Sequence, residues 1–302
     1  MTKIDLSILI ISYNTRDLTL NCLDSLERSL RNSPSLNTEI IVVDNASTDG
    51  STDSVKKHLR KIEQNDSVST KFIQNSQNIG FSRANNEGLA AASGKYLLFL
   101  NSDVVITDVN FADLVYYMNK NPSVGILTVD VRLPSGQVDM ASHRGFPTVW
   151  NSFTYFTRLE KVFSPVPQLK KYFGGYHLTH LDLNTIHEID SPSGAFYFTR
   201  KKILDDAGGF DTRFFMYGED LDLSYRIKKM GYKAIYYPLF HVLHLKYKSG
   251  IKRGKKTVET TTRKYFYDAM KIFYDKHFGK KNGLATNKLV HFFIDLKSKI
   301  SK

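Results

Sequence analysis

The chain has 302 residues, with 42 Lys+Arg against 30 Asp+Glu and a formal net charge of +12. Its hydrophobic content of 41% supports a sizeable core, which excludes a wholly disordered chain. The single cysteine, Cys22, excludes a disulfide framework and any cysteine-built zinc or iron–sulfur site, and it fits a reducing cytoplasm. No secretory signal is read at the start, and no apolar run approaches the ~18 residues that a membrane span needs.

The first half alternates strand and helix patterns. Residues 7–13 (SILIISY) form a near-continuous apolar run, as a strand buried on both faces does. Residues 17–30 follow with Leu18, Cys22, Leu26 and Leu30 at helical spacing. Residues 39–44 (EIIVVD) predict a second buried strand, 52–62 a helix, 71–74 a short strand and 81–92 a helix. Residues 95–100 (KYLLFL) predict a fourth strand, and 109–119 and 124–131 continue the alternation. This order implies an α/β chain with a mostly parallel central sheet flanked by helices, and ligands at the carboxyl ends of its strands.

The pattern changes after residue 131. Residues 133–171 are aromatic and irregular, with Trp150, Pro147, Pro165 and Pro167, and predict loops and short helices over one face. Residues 189–199 read as a strand, 201–207 as a short helix and 219–230 as an amphipathic helix with Leu223, Ile227 and Met230 on one side. Residues 233–237 predict another strand, with His241 and His244 beyond it, and the chain is helical again from about residue 257.

Charge is distributed unevenly. Residues 251–302 hold 14 Lys+Arg and 4 Asp+Glu, so the preceding 250 residues are nearly balanced. A nucleic-acid enzyme carries its basic residues around the main groove, so this distribution argues against a nucleic-acid partner.

Candidate chemistry lies where strands end. The first strand exits into Ser12, Tyr13 and Asn14 without the glycines of a nicotinamide-binding turn, and no phosphate-binding Gly-Lys-Ser/Thr loop is present. Asp44 ends the second strand, either to cap a turn or to bind a ribose or base edge. Asn101-Ser102-Asp103 ends the fourth, either as turn chemistry or as a carboxylate for a divalent metal. Glu219 and Asp220 open the amphipathic helix, as capping acids or with Asp220 as a general base.

Taken in order, the stretches SILIISYNTRDLTLNCLDSL, EIIVVDNASTDGS, NSQNIGFSRANNEGLAAASGKYLLFLNSD, SPSGAFYFTR, GGFDTRFFMYGEDLDLSYRIKKMGYKAIYYP and HLKYKS make the sequence resemble a family of enzymes. It is similar to family 2 inverting glycosyltransferases of the GT-A (nucleotide-diphospho-sugar transferase) fold, in their rhamnosyltransferase-like branch of bacterial surface-polysaccharide synthesis. The likeness runs over about residues 5–250 and implies a catalytic domain over 1–250. Residues 1–131 would bind the nucleotide sugar, 132–250 the acceptor, and 251–302 would form a basic helical extension.

The resemblance also implies roles. Ser12, Tyr13, Asn14 and Asp44 would form the base and ribose pocket, with Asn78, Gly80, Phe81, Arg83, Asn101 and Ser102 along the donor. Asp103 and His244 would hold Mg²⁺ or Mn²⁺, although Asn101 stands where the family's Asp-x-Asp element has its first acid. Asp220 would be the catalytic base, with Ser193, Gly194, Ala195 and Glu219 near the donor sugar and acceptor. Lys246 and Lys248 follow His244 and stand where they reach the diphosphate or solvent. The donor expected is dTDP-rhamnose, with UDP-hexoses open, and the acceptor a saccharide or lipid-linked saccharide. Asn101 also motivates a second reading, a non-catalytic glycan-binding module on a degenerate scaffold.

Near the C-terminus, Leu289, Phe292, Phe293, Leu296 and Ile300 fall on one helical stripe flanked by Lys288, Lys297 and Lys299. Three occupants fit that stripe: an anionic membrane surface on the inner face of the cell membrane, the body of the chain, or a second copy in a homodimer.

Overall fold

Strands that are apolar at every position must be covered on both faces, and the first two are. β1 (Leu6–Ser12) and β2 (Thr38–Asp44) are buried along their whole lengths in the computed structural model, which describes residues 3–246 and 256–300. Successive side chains alternate between faces, so Ile8 and Ile10 enter one core while Leu9 and Ile11 enter the other. The first core is roofed by α1 (Arg16–Leu30), α2 (Ser51–Ile62) and α4 (Phe111–Lys120), through residues such as Leu26, Leu59 and Leu114. The second lies under α3 (Phe81–Ala91), α8 (Lys201–Ala207) and α9 (Glu219–Lys229), through Leu89, Leu204 and Ile227.

Nine strands form one sheet. β3 (Val68–Gln74), β2, β1 and β4 (Tyr96–Asn101) are parallel neighbours in that order. β8 (Phe196–Arg200) joins antiparallel between β4 and β6 (Val124–Arg132), and β9 (Lys233–His244) runs parallel to β6. β5 (Val104–Ile106) and β7 (His187–Ile189) both pair antiparallel with β9. The chain moves from β1 outward to β2 and β3, then returns to β4 on the other side of β1. The loops leaving β1 and β4 therefore diverge, and a crevice opens between them at the strands' carboxyl ends.

Two elements differ from the sequence pattern. The strand expected over 189–199 is split: β7 ends at Ile189 and β8 begins at Phe196, with Pro192, Ser193 and Gly194 in the loop between them. Pro192 cannot donate to a ladder and Gly194 carries no side chain to pack, so pairing breaks there. The strand expected to end at residue 237 instead continues to His244, so His244 stands on the sheet rather than in a loop beyond it. Pro238 interrupts the pairing and shifts the register between Tyr237 and His241, after which β9 pairs again, Val104 opposite His244.

The irregular segment carries α5 (Val149–Phe156), α6 (Leu159–Val162) and α7 (Pro167–Phe173). His143 fastens this segment to β7, its Nε2 lying 2.7 Å from Nε2 of His187. Burial pushes His143 down to about 4, so at neutral pH one uncharged ring donates to another.

Two C-terminal helices follow, α10 (Lys256–Tyr274) and α11 (Leu284–Ile300). α10 buries Ala269 and Phe273 against Phe214 and Leu221 beside α9. Beneath that contact the fully buried Asp222 accepts bonds from Arg226 (2.9 Å), Lys276 (2.6 Å) and His277 (2.7 Å). Among the described residues no helix is long and apolar enough to cross a membrane.

Removing one partner of a buried ionic cluster leaves its companions desolvated and uncompensated. Asp222→Asn is expected to lower unfolding free energy by about 3–5 kcal/mol, measured by urea denaturation. A loss below about 1 kcal/mol, the scale of an exposed pair, would show that the cluster does not clamp α10 to α9.

Candidate active site

The crevice opens into a cleft of about 1800 Å³. Its polar end is built by strand termini. Register pairs Ser12 with Asp44 and Ile11 with Asn101, so the loops after β1, β2 and β4 emerge side by side. Tyr13, Asn78, Gly80, Phe81, Asn101, Ser102 and Asp103 line it, as do Ser193, Gly194, Glu219, Asp220 and His244 from the second half of the chain.

Other expected residues are not part of this lining. Ser12 is buried with its hydroxyl 3.1 Å from that of Thr19. Asn14 accepts from the Thr48 backbone N–H at 2.8 Å, bracing the loop after β2. Asp44 accepts from the Ser47 N–H at 3.0 Å through one oxygen, while its other oxygen is buried without a partner among the described residues. Arg83 is exposed on α3, and Ala195 is buried at the entrance to β8. Asn45, which sequence reasoning passed over, does line the cleft: its side chain donates to Asn78 at 2.9 Å and accepts from the Ile79 N–H. Gly80 is required sterically, since at φ 86° a Cβ there would lie 2.8 Å from the Phe215 carbonyl oxygen.

Asp103 and His244 meet because β5 pairs with the end of β9. His244 Nε2 lies 3.2 Å from an Asp103 oxygen, and both residues are buried. On its other side, Nδ1 lies 2.8 Å from Asp139, which also receives Lys246 at 2.8 Å. Burial opposes the charged imidazole, but the bonds to Asp103 and Asp139 raise His244 above its ordinary value. Burial also opposes ionisation of Asp139, yet His244 and Lys246 hold it well below the usual carboxylate range. Asp139 carries no motif signal; only the loop after β6 brings it here. Tyr247 and Lys248 lie outside the described residues.

The pair suits a divalent cation. Neighbouring ligand atoms in an octahedral shell of ~2.1 Å bonds stand ~3 Å apart, close to the 3.2 Å between Asp103 and His244. A carboxylate with an imidazole fits Mn²⁺ well and Mg²⁺ less so, and Asn101 supplies only a neutral oxygen nearby.

The second chemical centre is the start of α9. Tyr217 and Gly218 both have left-handed φ, 70° and 78°, and turn the chain so that the helix N-terminus faces the cleft. A Cβ on Gly218 would press on Phe214 and Ala269 at 3.2 and 3.3 Å. Asp220 then accepts from Arg144 Nη2 at 2.8 Å and from the Gly194 N–H at 3.2 Å through one oxygen, and from the Leu221 N–H through the other. Arg144 also donates to the Pro192 carbonyl at 3.0 Å. Like Asp139, Arg144 sits in the segment whose irregular pattern offered no signal. Glu219 differs from its neighbour: Oε2 is buried without a partner among the described residues, and burial plus the Asp220 charge push its carboxyl up to about 8. At neutral pH it carries a proton and can donate to a ligand.

The carboxylate held at this helix start thus lines the same cleft as Asp103 and His244, at the ends of parallel strands. The sequence matches the glycosyl transferase family 2 model over residues 7–178, and that of glycosyl transferase family group 2 over 96–271. The chain belongs to glycosyl transferase family 2, and it is a glycosyltransferase. It is similar to the N-acetylglucosaminyl-diphospho-decaprenol L-rhamnosyltransferase of Mycobacterium tuberculosis, 26% identical over 236 residues, covering 73% of this chain and 72% of that one. It is also similar to the poly-beta-1,6-N-acetyl-D-glucosamine synthase of Staphylococcus epidermidis, 26% identical over 77% of this chain, which spans only 48% of that protein. The fold is shared with S. aureus TarS in complex with UDP-GlcNAc (TM-score 0.56, 17% identity, 89% of this chain and 65% of that one). It is shared too with a Pyrobaculum calidifontis mannosyltransferase in complex with GDP-Man and Mn²⁺ (TM-score 0.54, 17% identity, 98% of this chain and 81% of that one).

The raised Glu219 makes stability depend on pH. The folded state keeps a proton that the unfolded chain has lost above the ordinary value of 4.5, so stability falls as pH rises from there toward 8. Glu219→Gln holds the neutral form permanently. Its thermal midpoint is expected to match wild type near about pH 5 and exceed it by at least ~2 °C near about pH 9. A variant that melts below wild type at the higher pH contradicts the raised value.

Proposed function

We propose that this glycosyltransferase moves a sugar from a nucleotide diphosphate donor to a lipid-linked saccharide, with inversion at the anomeric carbon and with Mg²⁺ or Mn²⁺. A rhamnosyl donor such as dTDP-rhamnose is the first choice, and a UDP-hexose the second. The M. tuberculosis relative's name supports the rhamnosyl donor and the lipid-linked acceptor; the S. epidermidis relative's name keeps N-acetylglucosamine in play. The enzyme would work at the inner face of the membrane, where such acceptors are held. The carrying observation is that Asp220 opens into the same cleft as Asp103 and His244.

The reaction joins the acceptor oxygen to the anomeric carbon and breaks the bond from that carbon to the diphosphate. The acceptor hydroxyl has a high pKa and must lose its proton during attack, and Asp220 would take it. Arg144 and the Gly194 N–H fix one oxygen of Asp220, so the carboxylate is aimed before substrate arrives. Attack from the face opposite the diphosphate inverts the centre in one displacement. Asp103 and His244 would hold the metal, which when bound neutralises charge on the departing diphosphate. Lys246, 2.8 Å from Asp139, stands beside them with a further positive charge.

Asp220→Asn keeps the shape and removes the base. Sugar transfer from dTDP-rhamnose or UDP-GlcNAc to a diphospho-lipid-linked GlcNAc is expected to fall by about 10²–10⁴-fold, with donor affinity retained. Wild-type rates in that variant would remove the catalytic assignment and leave the glycan-binding reading. Mn²⁺ binding, followed by electron paramagnetic resonance, is expected to weaken at least about tenfold in His244→Ala; unchanged binding would place the metal elsewhere.

A further inference from the structure

The cleft is larger than its proposed donor needs. Small-molecule sites occupy about 300–1,000 Å³, whereas this one has about 1800 Å³. Beyond Asp220 its walls change character. One wall is α5, with Trp150 49% and Phe153 50% exposed; the other is α11, with Leu289 55% and Phe293 54% exposed. All four line the cavity that also contains Asp103 and Asp220, so the apolar stretch is continuous with the catalytic centre. The α11 residues that line it run from Thr286 to Ile300, about 21 Å at 1.5 Å per residue, which makes the stretch a long groove rather than a dimple.

Half-exposed large apolar residues lining one groove mark a binding site. A flat bilayer surface cannot enter it, and α11 separates the two possibilities. Leu289, Phe293, Leu296 and Ile300 line the groove, whereas Phe292, 59% exposed, does not. At the groove wall Lys297 Nζ lies 5.7 Å from the centre of the Phe156 ring, which puts a cation beside the apolar path. An apolar channel that ends at the transfer centre and carries a lysine on its wall fits a ligand with a long hydrocarbon tail and an anionic phosphate head.

We propose that the groove between α5 and α11 holds the prenyl chain of the acceptor, with Lys297 facing its phosphate. This rests on the lipid-linked acceptor proposed above. The groove would thread the chain from the bilayer to the cleft and so place the terminal sugar near Asp220. Burying one phenyl group of this size is worth roughly ten- to a hundredfold in affinity.

Trp150 is the chain's only tryptophan, so its fluorescence reports the groove directly. The full chain is titrated with geranylgeranyl diphosphate, inorganic diphosphate, UDP and phosphatidylglycerol vesicles. The expected result is a saturable blue shift with the prenyl diphosphate and none with inorganic diphosphate. Phe293→Ser and, on the opposite wall, Phe153→Ser should each raise its Kd about tenfold or more, while Phe292→Ser leaves it unchanged.

A response to inorganic diphosphate alone, or one indifferent to both wall substitutions, overturns the assignment. So does a response to vesicles without one to the prenyl diphosphate, or sedimentation showing a dimer that shields Trp150. Prenyl binding by a chain that turns over no nucleotide sugar would support the groove and remove the transferase reading. Turnover that is lost in Asp220→Asn, with no prenyl response, would do the reverse.

Discussion

The bond between Arg144 and Asp220 is the interaction on which the cleft depends. Both side chains are nearly buried, and each half of the pair comes from a different part of the chain. Asp220 belongs to α9, Arg144 to the irregular segment after β6, and the Pro192 carbonyl and Gly194 N–H that complete the arrangement to the loop between β7 and β8. A buried charge without its partner costs several kcal/mol, so these three segments are compelled to meet at one point. In the reaction proposed above, that point is also where the attacking hydroxyl would lose its proton, so one electrostatic constraint would serve folding and chemistry.

A second set of charges repeats the device. His244 lies between Asp103 and Asp139, and Lys246 neutralises what remains of the second carboxylate. Asp222 does likewise for the turn that follows α10, collecting Arg226, Lys276 and His277 behind α9. In each cluster a buried carboxylate draws in groups distant in sequence. Glu219 is the exception: it has no cation at bonding distance among the described residues and resolves the conflict by keeping its proton. Of the two adjacent acids at this helix start, only Asp220 accepts a bond from an arginine.

Much of this was legible in the residues. Apolar runs at 7–13 and 39–44 declared buried parallel strands, and Asp103, His244 and Asp220 stood at strand or helix ends where ligands collect. Arg144 and Asp139 were invisible, because a residue whose partner lies dozens of positions away leaves no periodic trace. The length of β9 was also hidden: Pro238 looks like a terminus, and only pairing with β6 and β5 carries the strand past it to His244.

The amino-acid order by itself determined the alternation of strand and helix, the faces that had to be buried, and the family to which the chain belongs, because these depend on patterns within a few residues of each other. It also revealed an apolar stripe on the last helix. Tertiary structure alone decided which stripe residues turn toward the cleft and which away, which carboxylate is paired and which protonated, and which expected ligands are not part of the lining. Those outcomes depend on desolvation and on distances between groups far apart in the chain, and neither quantity exists until the chain has folded.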